Sequence, residues 1–195
     1  MATIISFYTN DWIYPEHALR LKAECDNFGL SSLIKEMPST KDYIKNTAIK
    51  PFFIRDTLLE LKSPVIWIDV DAKLLKAPSL DFEGFDIGAC AYTNSRLDRT
   101  WAVATLYFNY TEQTQKFLDA WCENSNSGTD ENSFDITWNQ LSDSVKFKEL
   151  PATYHFVKWR ESLEVPEDIV ICHQLSKFED KMRRKRHGQV DEGMK

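Results

Sequence analysis

Cysteine and histidine are too scattered in this sequence to build the common disulfide or zinc frameworks. The four cysteines form no Cys-x-x-Cys pair, and the four histidines never occur as His-Glu-x-x-His. This scatter favours reduced, mostly buried thiols over a disulfide frame or a zinc site. Glycine is also sparse, and no Gly-rich phosphate loop follows the first predicted strand, where Asn10-Asp11 stands instead. That absence disfavours a nucleotidyl transferase, which usually carries such a loop near its N-terminus.

Long apolar runs and a secretion signal are missing as well. No stretch reaches the roughly 18 apolar residues that a membrane helix requires, and residues 1–7 contain no basic segment or cleavage site. We therefore expect a cytoplasmic protein. With 195 residues, of which 43% are hydrophobic and 28% charged, the composition predicts one soluble globular domain.

The net charge of -6 is unevenly distributed along the chain. Residues 177–187 contain six Lys or Arg against two acidic residues, a net +4, which leaves -10 on the remainder. We therefore predict a domain over residues 1–177 and a basic C-terminal tail over residues 178–195. Such a tail favours contact with an anionic polymer or a membrane surface. The alternative is a solvated terminal helix. For a single run of charges, this alternative is slightly favoured over contact with an anionic partner.

The order of the predicted elements indicates an α/β fold. Strands and helices alternate through the first third of the chain, which is typical of a mixed, mainly parallel central sheet flanked by helices. Strands are predicted over residues 3–9, 30–37, 65–67, 85–91, 103–109, 145–150 and 169–172. Helices are predicted to begin at Pro15, at a Ser39 or Thr40 cap, at Pro51, at Glu112 and at Asp130.

Asp69 and Asp71 give the strongest chemical signal in the sequence. They follow an apolar strand directly, at the sheet edge where open α/β sheets bind ligands. Two carboxylates so close repel each other unless a cation lies between them. A hard divalent cation that also bridges a diphosphate is the natural partner. This pattern predicts a metal-dependent enzyme for a nucleotide-diphosphate compound; loop capping and simple solvation are the alternatives.

Six segments occur in the order found in a known family of transferases. They lie at residues 7–9, 50–54, 65–72, 105–109, 130–134 and 171–177. The set resembles the GT-A glycosyltransferases, and is most similar to their small bacterial and phage members and to glycosyltransferase family 8. The resemblance implies a single GT-A (Rossmann-like) domain that moves a sugar from a nucleotide-diphosphate sugar to a hydroxyl acceptor.

The same resemblance implies a metal site. Asp71 is expected to bind the metal directly, Asp69 to contact the metal and the ribose, and His173 to complete the protein ligands. Val70 belongs to the same cofactor-binding loop. Carboxylates with one imidazole suit Mn²⁺, with Mg²⁺ as the second choice. The alternative for His173 is a core histidine that closes a strand.

Further residues of the resemblance are expected to bind the donor. Tyr8 and Thr9 stand where the family places its base, and Lys50 stands where it would reach the diphosphate. Lys177 would neutralise the leaving nucleotide diphosphate, since the reaction builds negative charge there. A core position for Tyr8 and an exposed lysine at Lys50 are the alternatives.

Asp130 and Glu131 are the candidate catalytic residues. In the similar enzymes, the acidic pair of this segment lies close to the donor sugar or the acceptor hydroxyl. An inverting enzyme would use one of them as general base, whereas similarity to family 8 favours retention. Acids favoured by the positive end of a helix dipole are the alternative.

The acceptor stays open at this stage. The basic tail could contact the backbone of phage DNA, whose hydroxymethylated bases would be glycosylated in the host cytoplasm, or an anionic membrane that carries a lipid-linked glycan. A cell-surface glycan is a further acceptor class. A non-catalytic protein that binds a sugar nucleotide or a nucleic acid is the rival from another functional class.

Overall fold

The computed structural model describes residues 2–79, 81–92, 101–157 and 165–173. The strands are β1 (Thr3–Thr9), β2 (Ser32–Met37), β3 (Val65–Ile68), β4 (Lys73–Leu74), β5 (Ile87–Ala91), β6 (Trp101–Phe108), β7 (Phe147–Leu150) and β8 (Ile171–Cys172). The α-helices are α1 (Tyr14–Asn27), α2 (Tyr43–Thr47), α3 (Lys50–Leu61), α4 (Glu112–Asn124) and α5 (Asp130–Leu141). Short 3-10 helices lie at Ser142–Ser144 and Ala152–Tyr154.

Six strands form one mixed sheet in the order β2-β1-β3-β6-β5-β7. Strand β1 pairs parallel with β2 and β3, and β5 pairs parallel with β7. Strand β6 runs antiparallel to both of its neighbours, β3 and β5. Strands β4 and β8 form a separate antiparallel pair. The predicted α/β class, with a mixed and mainly parallel sheet flanked by helices, is confirmed.

Every residue of β3 is buried, because the sheet is covered on both faces. Val65 and Trp67 pack in a cluster with side chains of α3, α4 and α5, whereas Ile66 and Ile68 pack with those of α1. Successive side chains of a strand point to opposite faces, so an apolar run suits this position. Each fully buried side chain of this size contributes roughly 1.5–3 kcal/mol. The acids that follow β3 therefore emerge from a firmly held strand.

The helix boundaries follow their local chemistry, with one correction. Helices α4 and α5 begin after the caps Thr111 and Thr129, whose side chains accept from the amides of Thr114 and Asn132. Helix α2 is capped by Asp42, not by the predicted Ser39 or Thr40. The Asp42 carboxylate accepts two backbone amides of the first turn, which gives it the advantage over a single hydroxyl.

Two compositional expectations can be compared with the structure. All four cysteines are free and buried, as predicted. Within the described ranges, no helix combines the length and the hydropathy needed to cross a membrane. The predicted tail, over residues 178–195, lies outside the described residues.

Candidate active site

Two parallel strands bring the candidate residues to one edge of the sheet. Strands β1 and β3 are parallel neighbours, so Thr9 and Asp69 lie where the two strands end. The first half of the antiparallel strand β6 lies at the same edge, and the Asp69 amide donates to the Ala104 carbonyl at 2.9 Å. This edge is the usual ligand site of an open α/β sheet.

A cleft of about 190 Å³ opens at this edge. Its walls include eight of the ten predicted site residues: Tyr8, Thr9, Lys50, Asp69, Val70, Asp71, Asp130 and Glu131. His173 is not among its lining residues, and Lys177 lies outside the described residues. The roles of all ten stay predictions, but the structure brings the eight together from four separate segments of the chain.

The Lys50 ammonium lies at the floor of the cleft, between two carboxylates. Lys50 is only 4% exposed, which excludes the alternative of an exposed lysine. Its Nζ pairs with Asp69 Oδ1 at 2.9 Å and with Asp130 Oδ2, and it donates to the Val103 carbonyl at 3.2 Å. The same ammonium lies 5.2 Å from the centre of the Trp67 ring.

The electrostatics keep this lysine charged. Burial disfavours the charged ammonium, but Asp130 and Asp69 outweigh burial and raise the pKa of Lys50. Burial raises the pKa of the Asp130 carboxyl, and Lys50 opposes that rise. Lys50 and Asp130 form a charged pair, because two carboxylates flank the ammonium and a neutral lysine would leave both without a cation.

The loop that follows β3 is held from the side by α1. Arg20 Nη2 donates to the carbonyls of Asp71 and Ala72, at 3.3 and 3.2 Å. Glu24 accepts from the amide of Leu74 at 2.8 Å. Sequence reasoning missed both side chains, because their partners lie about fifty residues further along the chain. Their effect is to fix the backbone that carries Asp71.

Asp69 and Asp71 suit a hard divalent cation, but by themselves they do not form a complete metal site. Asp69 Oδ1 accepts from Lys50 and from Trp67 Nε1 at 2.9 Å, whereas its Oδ2 has no hydrogen-bond partner among the described residues. Within the same ranges, no three His, Cys, Asp or Glu side chains lie close enough to hold a metal. The two carboxylates suit Mn²⁺ or Mg²⁺, provided that diphosphate oxygens or water supply the other ligands.

His173 follows β8 and is buried, as the core alternative described. Thr105 Oγ1 donates to the Tyr154 carbonyl at 3.0 Å, so it accepts from His173 Nε2, 2.7 Å away. Burial lowers the pKa of His173 to about 3, and the ring is neutral. The lone pair is therefore on Nδ1, which has no hydrogen-bond partner within the described residues. This tautomer leaves Nδ1 able to bind a metal.

Aromatic side chains that sequence reasoning did not select form much of the remaining wall. Tyr14, Tyr43, Tyr92 and His155 line the cleft, and Tyr43 is 65% exposed. Tyr8 is half-buried rather than core, and its hydroxyl donates to Glu36 at 3.3 Å. The high aromatic content was the signal available in the sequence, but it did not identify individual positions.

The structure is similar to that of a glycosyltransferase involved in the glycosylation of the major capsid of PBCV-1. The TM-score is 0.72 at 9% sequence identity, over 94% of this chain and 98% of that chain. This chain has a glycosyltransferase-like fold. No protein-family model matches the sequence, and no curated protein sequence matches it.

The predicted site residues differ in how far they are exposed to solvent. Asp71 and Glu131 line the cleft and are partly exposed, whereas Lys50 and Asp130 are almost fully buried beneath it. Membership of family 8 stays a prediction, because an identity of 9% shows the fold alone.

Replacing Lys50 with methionine is expected to lower the free energy of unfolding by about 3 to 5 kcal/mol, because it leaves Asp130 buried without its cation. Urea unfolding at pH 7 measures this change. Lys116→Met is the matched control: Lys116 is an exposed lysine that pairs with Glu112 on α4, and we expect little effect there. Equal losses in the two variants would contradict the buried ion pair.

Stability is expected to fall on acidification because of His173. Its folded pKa of about 3 lies below the unfolded value, so the unfolded state takes up a proton first as the pH drops below about 6.5. At pH 5 the loss should be about 2 kcal/mol relative to pH 7.5. His173→Gln keeps a donor for Thr105 and should lack this loss in urea unfolding with EDTA. Parallel pH profiles would refute the prediction.

Proposed function

We propose that this protein is a metal-dependent glycosyltransferase that moves a sugar from a nucleotide-diphosphate sugar to a hydroxyl acceptor. The observation that carries the proposal is the convergence of Asp69, Asp71, Asp130 and Glu131 on one cleft at the sheet edge. The glycosyltransferase-like fold supports the same conclusion. We propose that the reaction takes place in the cytoplasm. If the protein is encoded by a phage, this is the cytoplasm of the host cell.

Electrostatics support the metal. Among the described residues that line the cleft, four carboxylates stand against the single ammonium of Lys50, which is already paired. These carboxylates favour entry of a diphosphate together with a cation. We propose that Asp69 and Asp71 hold Mn²⁺ or Mg²⁺. Nδ1 of His173 would be a further ligand only after a shift that brings it to these carboxylates, because the three side chains do not lie close enough together in this structure. The cation would stabilise the charge that develops on the leaving diphosphate.

The donor would lie along the aromatic wall. We propose that Tyr8 and Thr9 contact the base, with Tyr14 and Tyr43 beside them on the same wall. The enclosed volume of about 190 Å³ is below that of most small-molecule sites, so the cleft encloses a nucleotide-sugar only in part. Lys177 keeps its proposed role at the leaving diphosphate.

Asp130 and Glu131 are proposed to act at the sugar and the acceptor. Both stand in the first turn of α5, beyond the Thr129 cap. Asp130 is paired with Lys50, which suits orientation, whereas Glu131 is partly exposed in the cleft wall. Retention of the anomeric configuration follows from the resemblance to family 8, and we propose it on that basis.

For the acceptor we favour a glycan. The similar structure belongs to an enzyme of capsid glycosylation, and the acidic cleft suits neutral sugar hydroxyls better than the phosphates of DNA. Hydroxymethylated DNA and a lipid-linked glycan remain the alternatives that use the basic tail. A non-catalytic binding protein is the rival function, and it predicts donor binding without hydrolysis.

Thermal unfolding with a panel of nucleotide-sugars (UDP-glucose, UDP-galactose, UDP-N-acetylglucosamine, GDP-mannose and GDP-fucose) tests the proposal. With Mn²⁺ and a donor at 100 times its Kd, we expect a rise in Tm of about 5 to 10 °C. Asp71→Ala or EDTA should abolish the rise. Asp119→Ala is the matched control, because Asp119 is an exposed carboxylate on α4.

Slow hydrolysis of the stabilising donor in the absence of acceptor should accompany the shift. Binding without any hydrolysis or transfer would favour the non-catalytic protein. If no donor stabilises the wild type while DNA does, the transferase proposal is wrong.

Deletion of residues 178–195 tests the role of the basic tail. For a soluble glycan acceptor we expect the rate of transfer to stay within about twofold, because a solvated tail makes no contact with a neutral sugar. For acceptors on DNA or on anionic vesicles the rate should fall about tenfold or more, and the loss should weaken at high salt. Transfer assays at low and high salt on both acceptor classes measure the difference.

A further inference from the structure

Lys50 has already used its whole hydrogen-bonding capacity inside the protein. An ammonium carries three N–H donors and no acceptor. Three oxygens lie within bonding distance of Nζ: Asp69 Oδ1, Asp130 Oδ2 and the carbonyl of Val103. The side chain is 5% exposed, so solvent hardly competes for these bonds.

A diphosphate contact would therefore require one of these bonds to break. Asp130 is itself 5% exposed, and loss of its cation would leave a buried carboxylate without compensation. A lysine that serves as a phosphate ligand is normally a flexible point charge at the end of a mobile stem. Lys50 has the opposite character, because it is fixed in place from several sides.

The partners of Lys50 come from three different segments of the chain. Asp69 follows β3, Val103 belongs to β6, and Asp130 is in the first turn of α5. Lys50 itself stands at the start of α3, and the Trp67 ring, 5.2 Å away, closes a further side. Trp67 also donates to Asp69 at 2.9 Å, which fixes the rotamer of that carboxylate.

We propose that Lys50 is a positioning residue, which sets the distance between the Asp69 loop and the acidic start of α5, and that it does not bind the diphosphate. The inference rests on the proposed function, in which Asp69 serves the metal and donor and the start of α5 serves the sugar and acceptor. Holding these two groups at a fixed distance aligns the donor with the acceptor. A misplacement of about 1 Å costs on the order of 100-fold in rate.

Donor hydrolysis by four proteins tests this role: wild type, Lys50→Met, Asp130→Asn and the double variant. The probe is the panel nucleotide-sugar that stabilises the wild type, with Mn²⁺. We expect each single variant to lose about 100-fold in kcat while the Kd for the donor changes less than about threefold. The double variant should lose no more activity than either single variant, because both substitutions break the same Lys50–Asp130 ion pair. Lys116→Met should be unchanged.

Two kinetic outcomes would overturn the proposal. A Kd for the donor raised about tenfold or more in Lys50→Met, at little cost in kcat, would identify Lys50 as a phosphate ligand. Losses that multiply in the double variant, to about 10,000-fold, would show that Lys50 and Asp130 act independently.

A second measurement on the wild type covers the case in which Lys50→Met does not fold. Lysine side-chain ¹⁵N NMR should show a slowly exchanging ammonium, whose signal moves in Asp130→Asn. With the Mg²⁺-loaded protein as the reference, adding UDP or GDP should leave this signal in place while backbone amides near Tyr8 and Asp71 shift. A moving ammonium signal would overturn the proposal. If no panel donor and neither nucleotide binds the wild type, the proposed function fails instead.

Discussion

The buried Lys50 ammonium joins two carboxylates that belong to distant parts of the sequence, and the geometry of the cleft follows from that contact. Asp69 ends the strand at the centre of the sheet, and Asp130 begins a helix that packs on one face. Asp130 is 5% exposed, and without a cation its carboxylate would lie uncompensated at that depth. Because Asp69 and Asp130 share the ammonium, the segments that carry them cannot move apart without breaking one of the two ion pairs.

The rest of the fold supplies rigid walls for this bridge. Strand β3 is buried on both faces, so the loop after it leaves from a fixed point, and Arg20 on α1 holds the carbonyls of that loop from the far side. Thr105 on the neighbouring strand β6 fixes the tautomer of His173 through a chain of hydrogen bonds. The polar side chains of the site are thus oriented by neighbours whose own positions are fixed by packing in the apolar core.

The predictable part of this structure is the part with a local cause. The buried run before Asp69, the helix that begins at Lys50 and the helix over Asp130–Leu141 follow from apolar patterns, prolines and caps, and the structure has them at or near the predicted bounds. Strand β8 lies within the strand predicted over residues 169–172. Its partner β4 has two residues and no detectable period, and it was not predicted. The bridge through Lys50 and the clamp by Arg20 depend on long-range pairing, which periodicity does not report.

Charge also constrains the acceptor. A polyanion that approached the cleft would meet Asp71 and Glu131 in the wall, and repulsion at such short range would have to be offset by cations elsewhere. A neutral glycan has no such cost, and the exposed rings of Trp12 and Tyr43 stand on the same side of the sheet edge as Tyr14. Flat aromatic faces stack on sugar rings as readily as on bases. The charge of the described part of the cleft wall therefore supports the glycan acceptor that we propose.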